Sequence, residues 1–146
     1  MFLEQLNQLN GLLANQVSTI LVIILRRFSR LMSKKIFFTK MTAQGDNYIY
    51  IDNRDYRYER VDFSALSKDI SDVRFGIGSD GLVVLEYDEH AHCLMRIFNN
   101  DGSEAKMCGN ALRCLAFLLA QEGVNQPISI NTLSGIKFAQ VDELTH

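Results

Sequence analysis

Positive charge is not in excess in this sequence: 15 Lys and Arg stand against 17 Asp and Glu, for a formal net charge of −2. That balance removes the electrostatic basis for binding nucleic acid. Cysteine is scarce and odd in number, with Cys93, Cys108 and Cys114 the only thiols among 146 residues. Their spacing fits no disulfide framework and points to reduced thiols in a cytoplasmic setting. Cys108 and Cys114 are six apart, which on a helix puts them on largely different faces and argues against a metal pair. Long apolar runs are also missing. Val17–Leu25 (VSTILVIIL) falls well short of the ~20 residues a membrane-spanning helix needs. Arg26, Arg27 and Arg30 follow that run instead of preceding it, which is the wrong charge order for a secretion signal. Proline occurs once and tryptophan not at all, and neither fact excludes a function.

What is present suffices for one ordinary domain. Hydrophobic residues make up 47% and charged residues 22%, a globular balance and not a disordered one. Residues 1–31 differ from the rest and read as a leader of uncertain origin ahead of a start at Met32, with a membrane-surface helix as the alternative. Residues 32–146 read as a single domain without internal repeats. Within it the patterning predicts strands at Ile36–Met41 and Tyr48–Asp52 around a polar break, and a helix over Phe63–Val73, where Leu66 and Ile70 are four apart. Strands follow at Leu82–Tyr87 and Leu94–Asn99, joined through Asp88–His92. A strongly apolar helix is predicted at Gly109–Gln121, stopped by Gly123, and a final strand pair at Ile128–Asn131 and Ile136–Val141. The expected fold class is α+β, with mostly antiparallel strands and one helix apolar nearly all round and therefore buried.

Gly76-Ile-Gly78-Ser-Asp-Gly81 spells the G-x-G-x-x-G pattern of dinucleotide sites. That pattern binds pyrophosphate only where a helix opens after the glycines. Here LVVLEY follows, which is strand-like, so a tight turn into a buried strand is the preferred reading. His90, His92 and Cys93 form a local H-x-H-C cluster, read as solvated turn histidines beside a strand in preference to a metal site.

The informative stretch is RIFNNDGSEAKMCGNALRC, Arg96–Cys114. A strand ends at Asn99, a turn follows at Asn100–Gly102, and Cys108-Gly109-Asn110 leads into the apolar helix. A thiol at a helix start faces the positive end of the macrodipole, which favours a thiolate. The same helix start offers backbone N–H groups that can hold a carboxylate, and Gly109 leaves room for a ligand to approach them. The arrangement suits proton abstraction next to a carboxylate. Against it stands the ordinary use of cysteine as a small buried hydrophobe, which accounts for Cys114 among Leu112, Leu115 and Phe117. No Ser/His/Asp triad can be assembled.

FGIGSDGLVVLE (Phe75–Glu86) followed by Arg96–Cys114 resembles the diaminopimelate epimerase family, with FTKM (Phe38–Met41) and NTLSGI (Asn131–Ile136) in matching order. Proline racemases and phenazine-biosynthesis-type isomerases share the architecture but lack the NxDGSExxMCGN wording found here. The resemblance covers roughly Met32 onward. It implies a fold of two similar halves, each wrapping strands around a central helix, of which this chain carries the amino-terminal one; the carboxy-terminal half is missing from it. It implies epimerisation of LL- and meso-diaminopimelate, in lysine and peptidoglycan-precursor synthesis, with no PLP, metal or other cofactor. One cysteine removes the α-proton and an opposing cysteine protonates the other face. Cys108 matches the first cysteine, Gly109 and Asn110 match the carboxylate-gripping residues, and Asn99 matches a substrate-contacting asparagine. The expected partner is the small amino-acid substrate, with a homodimer implied for the full-length protein and neither nucleic acid nor membrane expected. The family's opening loop usually reads Gly-Asn-Asp, whereas this chain has Gly45-Asp46-Asn47, which leaves that substrate contact unassigned. Ala111 stands where glycine is common, a mild change in a helix. With the second cysteine missing, the chain alone is expected to be inactive. The alternatives are a truncated, non-catalytic remnant and another cysteine racemase of the same fold.

Overall fold

Strand β1 (Thr39–Ala43) turns back antiparallel into β2 (Asp46–Asp52) through Gln44 at φ 51° and Gly45 at φ 91°. Two successive left-handed residues are what a tight hairpin between right-twisted strands requires. These strands belong to a computed structural model that describes residues 35–142; the expected leader at 1–31 lies outside the described residues. Helix α1 (Phe63–Ser71) comes next, capped by Asp62, whose carboxylate accepts the Ala65 N–H at 3.0 Å. Then follow β3 (Gly81–Glu86), β4 (Cys93–Asn99), the short β5 (Glu104–Ala105), helix α2 (Gly109–Gln121), β6 (Ile128–Asn131) and β7 (Lys137–Ala139). Gly123, at φ 84°, closes α2 by donating to the Ala120 carbonyl, the stop expected from the sequence.

All strands join one sheet in the order β1-β2-β3-β4-β6-β7, with β5 paired to β4 outside that row. The hairpin and meander pairs are antiparallel, but β2–β3 and β4–β6 run parallel. The sheet is therefore mixed, where mostly antiparallel pairing was expected. The physical reason lies in the connections: α1 bridges β2 to β3 and α2 bridges β4 to β6, and a helical crossover returns the chain in the same direction.

The two helices cover opposite faces of the sheet. Ile49, Ile51, Leu82, Val84 and Phe98 pack with Phe63 and Leu66 of α1. Tyr48, Tyr50, Val83, Leu85, Met95 and Ile97 pack with Ala111, Cys114, Leu115 and Leu119 of α2. This explains the unbroken apolar run in β3, whose Leu82, Val83 and Val84 are all fully buried. Strands β1, β2 and β6, from both flanks of the sheet, all touch α2, so the sheet curves around that helix as a half-barrel.

Helix α2 is nevertheless not buried on all sides, as its apolar sequence suggests it should be. Ala111, Cys114, Leu115, Ala116 and Leu119 are buried, whereas Leu112, Phe117 and Leu118 are half-buried and Arg113 and Gln121 exposed. A single curved sheet covers only the stripe that faces it. Among the described residues, no helix is long and apolar enough to cross a membrane.

The glycine-rich stretch serves α1. That helix ends at Ser71, two residues before its expected limit. The amides of Gly76, Ile77, Gly78 and Ser79 donate to the carbonyls of Asp72, Ile70, Ile70 and Ser71 respectively, at 2.8–3.2 Å. A Cβ at Gly76 would sit within 2.5–2.8 Å of three backbone oxygens, so only glycine fits that approach. These N–H groups answer the orphan carbonyls of a helix C-terminus and are not free to cradle a phosphate. With β3 directly downstream, the tight turn into a buried strand is what the structure contains.

Candidate active site

Cys108 stands at the junction where the β5 turn becomes α2. It is the N-cap residue, with extended backbone (φ −138°, ψ 122°), and its thiol makes no capping hydrogen bond. The first intrahelical bond runs from the Leu112 N–H to the Cys108 carbonyl at 3.0 Å. The amides of Gly109, Asn110 and Ala111 precede that bond and have no acceptor within the helix. Gly109 is exposed, and no heavy atom lies within 4 Å of the place its Cβ would take. A half-buried sulfur, open amide donors and free space thus meet at one helix end.

Strand β2 runs beneath this helix start. The Tyr48 hydroxyl donates to Cys108 Sγ at 3.4 Å, and the Tyr50 hydroxyl to the Ala111 carbonyl at 3.1 Å. Burial first, and then the hydrogen bond with Cys108, push the Tyr48 phenol well above its ordinary range, so it stays protonated. Asn110 is fixed from both ends of its amide: Nδ2 donates to Asp46 Oδ2 at 2.8 Å, and Oδ1 accepts from Arg113 Nη1 at 2.6 Å. Asp46 also places negative charge near the positive end of α2, a favourable position. Its neighbour Asn47 turns elsewhere, its Oδ1 accepting from the Thr42 hydroxyl at 2.6 Å. The departure from the Gly-Asn-Asp order therefore puts a carboxylate, not an amide, against Asn110.

Asn99 reaches the same face of the sheet from further away. Tyr48 lies opposite Gly81, and Gly81 opposite Asn99, so the three form a row across β2, β3 and β4. With strands about 4.8 Å apart, Asn99 is roughly 10 Å from Tyr48 along this row. The Asn99 side chain donates to Ser103 Oγ at 2.9 Å, within the turn through Gly102 (φ 82°). The structure thus brings Cys108, Gly109 and Asn110 together and leaves Asn99 at the rim.

The other cysteines are elsewhere. Cys93 is fully buried in β4, and burial pushes its thiol up to about 12. Cys114 is buried in the α2 core. His92 is held by Ser129, whose N–H donates to Nδ1 at 3.0 Å, and His90 is exposed. No group of three or more potential metal ligands converges among the described residues. A surface hollow of about 180 Å³ at the other end of β2, lined by Phe37, Tyr50, Asp52 and Glu122 among others, includes neither Cys108 nor Asn110. Sequence reasoning missed Tyr48 and the contact made by Asp46. The alternation in YIYID was the available signal, since it puts Tyr48 and Tyr50 on one face.

Residues 38–146 match the family model for diaminopimelate epimerase. The diaminopimelate epimerase of Geobacillus thermodenitrificans is 44% identical over 106 residues, covering 71% of this chain and 37% of that protein. The one from Oceanobacillus iheyensis is 45% identical over 109 residues, covering 73% and 38%. The chain therefore spans little more than a third of the length of these curated relatives. Among solved structures, a PhzF-family phenazine biosynthesis protein of Bacillus anthracis superposes with a TM-score of 0.53 at 20% identity, covering 74% of this chain and 36% of that one. Methylitaconate-delta-isomerase gives 0.54 at 19%, covering 74% and 35%. At such identities these two share the fold. The sequence matches go further: this chain belongs to the diaminopimelate epimerase family.

Proposed function

We propose that this chain forms one lobe of a cofactor-independent epimerase that interconverts LL- and meso-diaminopimelate, with Cys108 as one of two acid/base thiols. The observation that carries the reading is the Cys108 sulfur beside the open first-turn amides of α2. The Cys108 thiolate takes the α-proton, and a second cysteine thiol, outside this chain, delivers a proton to the opposite face of the carbanion. One proton leaves the substrate and one enters, so no oxidant or cofactor is required. An amino-acid α-proton is very weakly acidic, and the carbanion pushes charge onto the adjacent carboxylate. The amides of Gly109 and Asn110 are the donors for that carboxylate, where preorganised hydrogen bonds are worth most. Asn99, at the rim, contacts a more distant part of the substrate. A second lobe would complete the cover over the half-buried Leu112 and Phe117 side of α2 and exclude water from the reaction.

Neither Cys93 nor Cys114 can serve as the opposing thiol, because both are packed in the core. The 146-residue polypeptide by itself is therefore expected to show no exchange of the substrate α-proton above background when incubated in deuterated water. Exchange at an enzyme-like rate would contradict the need for a second thiol. A chimera in which residues 38–142 replace the matching segment of the Geobacillus thermodenitrificans relative supplies the complementary case, and is expected to be active.

Gly109→Ala separates binding from folding. The added methyl meets no protein atom within 4 Å, and alanine is preferred over glycine in a helix by up to ~1 kcal/mol. Thermal stability should hold or rise slightly, while the chimera's KM for LL-diaminopimelate should rise at least about tenfold, the methyl standing where the carboxylate approaches. A variant with unaltered KM would show that the substrate does not use this helix end. One observation favours a different substrate within the same fold: the Asp46 carboxylate occupies a donor of Asn110. Activity of the chimera on another amino acid, with none on diaminopimelate, would support that second reading.

A further inference from the structure

We propose that Tyr48 is a positioning residue for Cys108: its phenol donates a hydrogen bond to the sulfur, holds it at the mouth of α2 and favours the thiolate. The proposal deepens the reading of Cys108 as an acid/base thiol and rests on it. Three observations carry it. The Tyr48 hydroxyl lies 3.4 Å from Cys108 Sγ in donor geometry, and Tyr48 is only 8% exposed, so water competes little for the contact. The ring is fixed in place, because Tyr48 Cε1 lies 3.2 Å from where a Cβ on Gly81 would be; the bare backbone of the neighbouring strand is what it rests on.

The third observation is the set of charges around the pair. Asp46 on β2, Asp80 before β3 and the burial of the ring all oppose ionisation of the phenol. From the same face, Tyr50 bonds the Ala111 carbonyl of α2, and Arg113 of α2 is engaged by Asn110. Tyr48 therefore remains a neutral O–H donor while the thiol gains and loses its proton. A hydrogen bond to an ionised acceptor is about twice as strong as one to a neutral acceptor. The contact tightens when Cys108 is a thiolate and slackens when it is a thiol, which biases the sulfur toward the form that abstracts a proton.

The test uses the 146-residue chain and iodoacetamide, which forms an S–C bond with a thiolate as iodide leaves. Trypsin releases Cys108 alone in the peptide Met107–Arg113, so its alkylation can be followed apart from the buried Cys93 and Cys114. Tyr48→Phe, which removes only the hydroxyl, should slow alkylation about tenfold near neutral pH, with the rates converging by about pH 10, where the thiol ionises with or without the phenol. Identical pH–rate profiles in a variant with a native-like melt would overturn the proposal. Should Tyr48→Phe fail to fold, the reciprocal measurement decides: in Cys108→Ala, the Tyr48 ring, followed by NMR with ¹³C-labelled tyrosine, should titrate at lower pH than in the parent. An unshifted titration would overturn the proposal. A positive alkylation result with a chimera that stays active as Cys108→Ala would leave Tyr48 in place and remove the catalytic reading instead.

Discussion

Gly81→Val is expected to destabilise the domain by about 3 kcal/mol, read as a lowered urea midpoint with an unchanged slope. A Cβ at this position would lie 2.4 Å from the Phe98 carbonyl oxygen and 3.2 Å from Tyr48 Cε1. The first contact is with backbone, so no side-chain rotation relieves it. Gly81 begins β3, which is paired on both sides, parallel to β2 and antiparallel to β4, and the residues that follow are fully buried. Relief would require opening the β3–β4 ladder at its end or pushing the Tyr48 ring away from Cys108. Against a typical domain stability of about 5–15 kcal/mol, such a loss is a large fraction. A valine variant with the parent's urea midpoint would mean that the strands are not held together at this register.

This glycine shows what the sequence conveys and what it withholds. Pattern alone read Gly81 as the end of a turn into a buried strand, and that is correct. It could not show that Tyr48 leans over it, because the pairing of β2 with β3 is parallel and crosses from one hairpin to another through α1. Periodicity reports which face a residue occupies; it does not report strand order. The same limit explains why an antiparallel sheet was expected and a mixed one found. Helix α2 and strand β6 were legible to the residue, since each lies between clear punctuation, Cys108-Gly109 and Gly123 for the helix. β5, only two residues long, offered no pattern to read. In the site, Cys108, Gly109 and Asn110 were visible because they are contiguous. The Asp46–Asn110 contact joins residues 64 positions apart and required the fold.

The largest functional effect should follow from Cys108→Ala. Alanine is a good helix residue, and the Cys108 side chain caps no amide, so the helix start loses nothing structural. What disappears is the only thiol of this chain that is not buried in the core. Positioned acid/base groups contribute about 10²–10⁴-fold to rate, and here no neighbouring side chain can substitute. The phenol of Tyr48 is held protonated, and the Asp46 carboxylate is committed to Asn110. A loss of about 10³-fold or more in both epimerisation and α-proton exchange is expected, with the melting temperature little changed.

Deuterium incorporation at the α-carbon of LL-diaminopimelate, measured for the chimera carrying residues 38–142 with and without Cys108→Ala, tests the central claim most directly. The account predicts rapid incorporation by the parent chimera and near-background incorporation by the alanine variant, both folded. Undiminished incorporation by the folded alanine variant would contradict it.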